Sequence, residues 1–165
     1  SGCIAISLAK NLPNAKVTAL DISKDAIEVA MKNANLNNVC IEFIHADILE
    51  FTFEKKYDLI VSNPPYLLDS EKSLMKKNVL DFEPHLSLFV NDIDPLLYYK
   101  EIINSLKDNL NVSGFFFFEI NNIYCKKLMK FLKSYDFNVK SFEDHKRFNR
   151  FIYALKSFSY FRNRV

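Results

Sequence analysis

The sequence predicts an α/β domain built on a largely parallel sheet with helices on both faces. Three observations lead there. Residues 57–61 form a mostly apolar run closed by Asn63-Pro64-Pro65-Tyr66, as expected of a strand buried on both faces of a parallel sheet. Around that run, strand-like and helix-like stretches alternate along the chain, the pattern of strand–helix–strand units. Asp21 and Asp47 stand where the early strands stop, and open α/β sheets bind ligands at the carboxyl ends of their strands.

The 165 residues leave room for one domain with a sizeable core, since about two-thirds of the unfolded surface is buried at that length. Hydrophobic content of 49% and charged content of 25% suit a globular chain. A net charge of +2 argues neither for nor against a nucleic-acid partner. Residues 120–165 hold 11 Lys or Arg against 3 Asp or Glu, which reads first as a solvated surface. No run approaches the ~20 apolar residues of a membrane span. Cys3, Cys40 and Cys125 are odd in number and lack metal-ligand spacing, so they read as reduced core thiols in a reducing compartment. Two glycines and 16 phenylalanines read as a compositional bias.

Residues 1–10 have the apolar spacing of a helix. A short strand over 16–20 brings Asp21 to its end. Ser23 then caps a helix to about Asn35, with Asp25 in the first turn and Lys32 near the last. Ile41–His45 is the next strand, and His45 is structural because no second ligand stands at metal spacing. The stretch from Tyr66 to about Asp92 has little apolar periodicity, and a connection that long predicts a functional lid. A helix over 96–110, a strand over 114–119, a helix over 123–134 and strands near 137–142 and 150–155 complete the chain. In Glu119-Ile120-Asn121 the asparagine suits a turn with left-handed φ.

The chemistry concentrates at Asn63. Two consecutive prolines forbid further strand or helix, so the chain leaves the sheet there. Asn63 then offers an amide oxygen, Pro64 a carbonyl and Tyr66 an aromatic face, a set suited to a planar NH2 group. The competing reading is an ordinary Asn-Pro turn. Asp21 and Asp47 each have a comparable alternative as caps of the turns that follow them.

Asn63-Pro64-Pro65-Tyr66 directly after Asp58-Leu59-Ile60-Val61 resembles motif IV of S-adenosylmethionine-dependent amino methyltransferases, which act on adenine, guanine or a glutamine side chain. Ser1-Gly2-Cys3-Ile4-Ala5 matches the last part of that group's glycine-rich turn. Asp81-Phe82-Glu83-Pro84-His85-Leu86-Ser87-Leu88-Phe89 resembles the aromatic-Glu-Pro segment of the HemK/PrmC family, the glutamine methyltransferases of peptide chain release factors. The resemblance covers nearly all of residues 1–165.

That resemblance implies a class I S-adenosylmethionine-dependent methyltransferase (Rossmann-like) fold. It implies catalytic roles for Asn63, Pro64, Pro65 and Tyr66, and cofactor contacts from Gly2, Asp21, Ile22, Asp47, Ile48 and Asn63. Asn63, Pro64, Tyr66 and Glu83 would meet the substrate, and no metal is called for. The late Asp144 and Arg150 match a family element that reads as structural. The first strand and leading glycines are expected upstream of Ser1, so 1–165 reads as a methyltransferase catalytic domain truncated at its amino end, with no second domain. The implied substrate is the glutamine of the Gly-Gly-Gln loop of a release factor. A nucleic-acid amino methyltransferase (adenine N6 or guanine N2), or a non-catalytic binding partner, is the alternative. Expected surroundings are the cytoplasm or an organelle such as a mitochondrion or plastid, without membrane insertion; the oligomeric state stays open.

Overall fold

The computed structural model describes residues 1–68, 70, 72 and 88–157. The chain divides into two compact units, Ser1–Thr52 and Phe53–Val165.

The first unit runs α1 (Cys3–Asn11), β1 (Val17–Asp21), α2 (Lys24–Leu36), β2 (Ile41–His45). β1 and β2 pair in parallel, from Val17 opposite Ile41 to Asp21 opposite His45. α2 begins where its sequence asks it to. Ser23 keeps extended backbone and its hydroxyl accepts the Ala26 N–H at 3.2 Å, meeting one donor that the helix leaves unpaired. The helix runs on to Leu36, so Lys32 lies a turn inside its end and the last turn holds no basic residue. Its buried face is Ile27, Ala30 and Ala34.

The second unit contains β3 (Tyr57–Ser62), β4 (Leu67–Leu68), β5 (Phe89–Val90), α3 (Leu97–Leu106) and β6 (Leu110–Glu119). A 3-10 turn (Asn122–Tyr124), α4 (Cys125–Lys133), β7 (Phe137–Glu143) and β8 (Asn149–Lys156) follow. Four strands form one sheet in the order β3-β6-β8-β7. β3 and β6 are parallel, while β8 runs antiparallel to both of its neighbours. β4 and β5 form a small parallel pair of their own.

Packing gives the phenylalanines of β6 a structural role. Successive side chains of a strand point to opposite faces, so Phe115-Phe116-Phe117-Phe118 feeds two layers. Phe116 and Phe118 are fully buried and stack at 5.4 Å between ring centroids. Tyr99 of α3 meets Phe118 edge-on at 5.5 Å, and Phe137 lies 5.5 Å from Phe116. Phe115 pairs with Tyr153 at 4.8 Å and Phe117 with Phe151 at 5.6 Å. Each buried ring of this kind is worth about 1.5–3 kcal/mol of burial.

Several expectations need correction. β3 is half-buried along most of its length, where burial on both faces was expected. β6 begins at Leu110, four residues early, through a bulge where Tyr57 pairs with Leu110 but Leu59 with Phe115. Ser113 takes a φ of 65° there. Gly114 beside it is closely crowded, because a Cβ would stand 3.0 Å from the Asn111 carbonyl oxygen and 3.1 Å from that of Tyr57. That early start ends α3 at Leu106. Asn121 has φ −75°, not left-handed, because its side chain caps the 3-10 turn by accepting the Ile123 N–H. Cys125 is buried, and burial pushes its thiol up; Cys3 and Cys40 are exposed, so only one of the three is a core thiol.

Lys156 is buried at the end of β8, where its ammonium donates to the Lys107 carbonyl at 2.7 Å and the Leu110 carbonyl at 3.2 Å. It thereby ties the end of α3 to the start of β6. The lid expectation and Glu83 fall largely on residues outside those described. Among the described residues, no helix is long and apolar enough to cross a membrane.

Candidate active site

In the first unit the parallel register carries Asp21 and Asp47 to the same end of the β1–β2 pair. Asp21 is the last residue of β1 and Asp47 lies two residues past β2. Each uses one carboxylate oxygen locally: Asp21 Oδ1 accepts the Ser23 N–H and Asp47 Oδ1 accepts the Leu49 N–H, both at 2.9 Å. The turn-capping reading is therefore true of both residues. It leaves each carboxylate with further acceptor capacity, since an ionised carboxylate takes about four hydrogen bonds. Ile22 follows with half of its surface exposed, and Ile48 is half-buried. His45 bonds the Ile22 carbonyl through Nε2 at 2.9 Å and steadies the backbone beside Asp21.

Gly2 is the N-cap of α1 with φ 74°. A side chain there would collide with α2, because a Cβ would sit 2.8 Å from the Ala30 Cβ. The start of α1 brings N–H groups with no intrahelical acceptor, and such a terminus favours negative charge.

In the second unit β3 delivers Asn63. Ser62 is held opposite Phe118 in the β3–β6 ladder, and Pro64 fixes its own φ on the other side. Asn63 is exposed, Pro64 buried, and Pro65 and Tyr66 half-buried. The Tyr66 hydroxyl lies 3.3 Å from Glu119 Oε1. Burial pushes the Tyr66 hydroxyl's pKa up, the Glu119 carboxylate adds to that, and the Arg150 guanidinium opposes it. Glu119 ends β6, and its own carbonyl accepts the buried Tyr99 hydroxyl at 2.8 Å. Arg150 Nε donates to Asp144 Oδ2 at 3.2 Å. Past Tyr66 the chain is clipped by the β4–β5 pair and by Ser70, whose N–H and hydroxyl both reach Asp92 Oδ1.

Reading the sequence singles out Asn63 to Tyr66 but treats Glu119 only as part of a turn and misses Tyr99. The available signal is position: Glu119 is a carboxylate at the carboxyl end of a strand, as are Asp21 and Asp47. Nothing in the chain announces the register that sets it beside Tyr66, 53 residues away.

Comparison with known proteins agrees with the fold. A methyltransferase from Pyrococcus furiosus superposes with a TM-score of 0.68 at 16% identity, covering 94% of this chain and 70% of that one. Mixed α/β units with mostly parallel strands are thus the Rossmann-like fold of class I methyltransferases. The methyltransferase small domain profile matches residues 1–83. The release factor glutamine methyltransferase of Flavobacterium psychrophilum is 51% identical over 138 residues, 83% of this chain and 48% of that protein. Its namesake from Bacteroides thetaiotaomicron is 44% identical over 135 residues, 81% of this chain and 49% of that protein. The chain belongs to the methyltransferase small domain family and, within it, to the HemK/PrmC family. It spans about half the length of the curated relatives it matches.

Proposed function

We propose that the protein is an S-adenosylmethionine-dependent N-methyltransferase acting on the glutamine side chain of the Gly-Gly-Gln loop of a peptide chain release factor. The observation that carries the reading is 51% identity to a release factor glutamine methyltransferase across the stretch that holds Asn63-Pro64-Pro65-Tyr66. The reading places it in the cytoplasm or an organelle.

The first unit's residues fit the cofactor's chemistry. The Asp21 carboxylate suits a ribose diol, since it can accept two hydrogen bonds. Asp47 suits an adenine amino group. Exposed Ile22 and half-buried Ile48 supply apolar walls, and the start of α1 at Gly2 suits a carboxylate. Bound there, S-adenosylmethionine supplies an electrophilic methyl group.

The second unit's residues fit the acceptor. An amide nitrogen is a poor nucleophile because its lone pair is delocalised into the carbonyl. With the Asn63 side-chain oxygen and the Pro64 carbonyl each accepting one N–H, the amide is held in a single orientation for attack on the methyl group. Pro65 stiffens the turn, and Tyr66 packs on the amide plane and excludes water. The family resemblance adds Glu83 to the residues proposed to meet the substrate. Orientation of this kind is worth up to about 7–11 kcal/mol in favourable cases, and the two oxygens also stabilise positive charge growing on nitrogen.

The test offers the full-length protein a recombinant release factor, duplex DNA and single-stranded RNA with labelled cofactor, and locates the methyl group by mass spectrometry. Label on the Gly-Gly-Gln glutamine is expected. Label confined to adenine or guanine overturns the reading in favour of a nucleic-acid enzyme.

A further inference from the structure

Tyr66 follows two prolines that fix the backbone but leave its ring free to turn about χ1 and χ2. Its hydroxyl reaches Glu119 Oε1 at 3.3 Å, longer than the ~2.7–2.8 Å of a strong O–H···O bond. Such a contact sets direction more than it adds strength. The group on the other end is itself unusually well fixed. Glu119 pairs with Phe151 in the antiparallel β6–β8 ladder. Its carbonyl accepts the hydroxyl of Tyr99, whose side chain is almost wholly buried. The next N–H, that of Ile120, bonds the Arg150 carbonyl at 2.9 Å. Because Ser62 lies opposite Phe118, Glu119 comes level with Asn63 at the carboxyl end of the two parallel strands.

Charge around this contact is arranged in alternation. The Arg150 guanidinium opposes the effect of Glu119 on the Tyr66 hydroxyl, and Asp144 holds that guanidinium at 3.2 Å. Asp144 is fixed in turn by the N–H groups of Lys146 at 2.8 Å and Phe148 at 3.2 Å. Asp144 and Arg150 thus bring a paired guanidinium to the tyrosine from the β7–β8 side, while Glu119 brings a carboxylate from β6.

We propose that Glu119 is a positioning residue for the methyl-transfer site: it acts through the Tyr66 hydroxyl to fix the ring that the acceptor amide packs against, with Tyr99 anchoring Glu119 from behind. This deepens the function proposed above and rests on it for its kinetic consequence, whereas the contact itself can be read without turnover.

The test compares wild type, Glu119→Ala, Glu119→Gln, Tyr66→Phe and the double variant Tyr66→Phe/Glu119→Ala in the full-length protein. Losing the acceptor should lower kcat/KM for the release factor about tenfold, chiefly through KM, a change of the size of one hydrogen bond. Cofactor affinity should hold, and Glu119→Gln, which keeps an acceptor oxygen, should recover most of the loss. In the Tyr66→Phe background the Glu119→Ala change should cost less than about twofold, because a positioning residue has nothing left to position. Additive losses overturn the proposal. A second readout uses carbon-13 labelled tyrosine and nuclear magnetic resonance, with Tyr66→Phe identifying the signal. Glu119→Gln should move the Tyr66 titration to lower pH, because a nearby negative charge is removed; no movement overturns the proposal even if Glu119→Ala does not fold. Should wild type leave the release factor unmethylated, the functional reading fails while the titration still decides whether Glu119 governs Tyr66.

Discussion

Gly2 and Ala30 lie so close that a methyl group on Gly2 would stand 2.8 Å from the Ala30 Cβ. Gly2 also holds φ 74°, which costs other residues about 1–2 kcal/mol. With overpacking against α2 adding ~1–3 kcal/mol, Gly2→Ala should lower stability by roughly 2–5 kcal/mol. Urea unfolding measures it. Adding Ala30→Gly should return only the packing share, since the backbone strain remains. An unchanged midpoint in Gly2→Ala would show that α1 and α2 part easily.

Asn63→Ala should abolish methyl transfer while cofactor affinity stays within a few-fold. Asn63 is exposed at the end of β3, so its removal leaves the core alone and takes away a positioned acceptor worth at least ~2–3 kcal/mol in the barrier. Calorimetric cofactor titration beside a tritiated-methyl assay separates the two effects. Retained turnover would sink the catalytic assignment.

Asp21 serves two purposes in this reading, and two substitutions divide them. Asp21→Asn keeps an oxygen for the Ser23 N–H but removes the charge offered to ribose, whereas Asp21→Ala removes both. Cofactor binding should weaken by roughly 1.5–3 kcal/mol in the alanine variant, from lost charge-assisted hydrogen bonds, and by part of that in the asparagine variant. If neither variant binds the cofactor less tightly, Asp21 is only a turn cap.

Asp144 gives the fold an acid-sensitive point. Burial pushes its carboxyl up, but the N–H groups of Phe148 and Lys146 and the Arg150 guanidinium outweigh that and hold it below the ordinary carboxylate range. A carboxyl depressed by folding contributes stability above its unfolded value of about 4 and loses it as pH falls through the lower folded value. Wild type should therefore lose melting temperature faster than Asp144→Asn as pH falls from about 4. Parallel curves for the two proteins would refute the assignment.

Where the sequence was readable, local chemistry decided the structure. Ser23 and Asp25 mark the start of α2, and the two prolines after Asn63 end β3 within a residue of expectation. Where it was not, distant partners decided. The start of β6 was hidden because Asn111 and Ser113 are poor strand residues, and the crowding of Gly114 by the Asn111 and Tyr57 carbonyl oxygens appears only in the folded chain. β4 and β5 were missed because two residues carry no period, and they pair across 22 positions, Leu67 with Phe89. Likewise the motif Asn63 to Tyr66 was plain in the chain, but nothing near it pointed to Glu119.

The strand order has a consequence for synthesis. β8, the last strand among the described residues, lies between β6 and β7. While the protein is being made, β7 therefore leaves the ribosome before the strand that joins it to the rest of the sheet, and β6 waits with it. Until residues 149–156 emerge, the edges of β6 and β7 that β8 will cover offer unpaired N–H and C=O groups, including those flanking the four phenylalanines, to any passing strand. A pause in translation that leaves residues 149–156 inside the ribosome with β7 already outside should be the moment at which this chain most needs a chaperone.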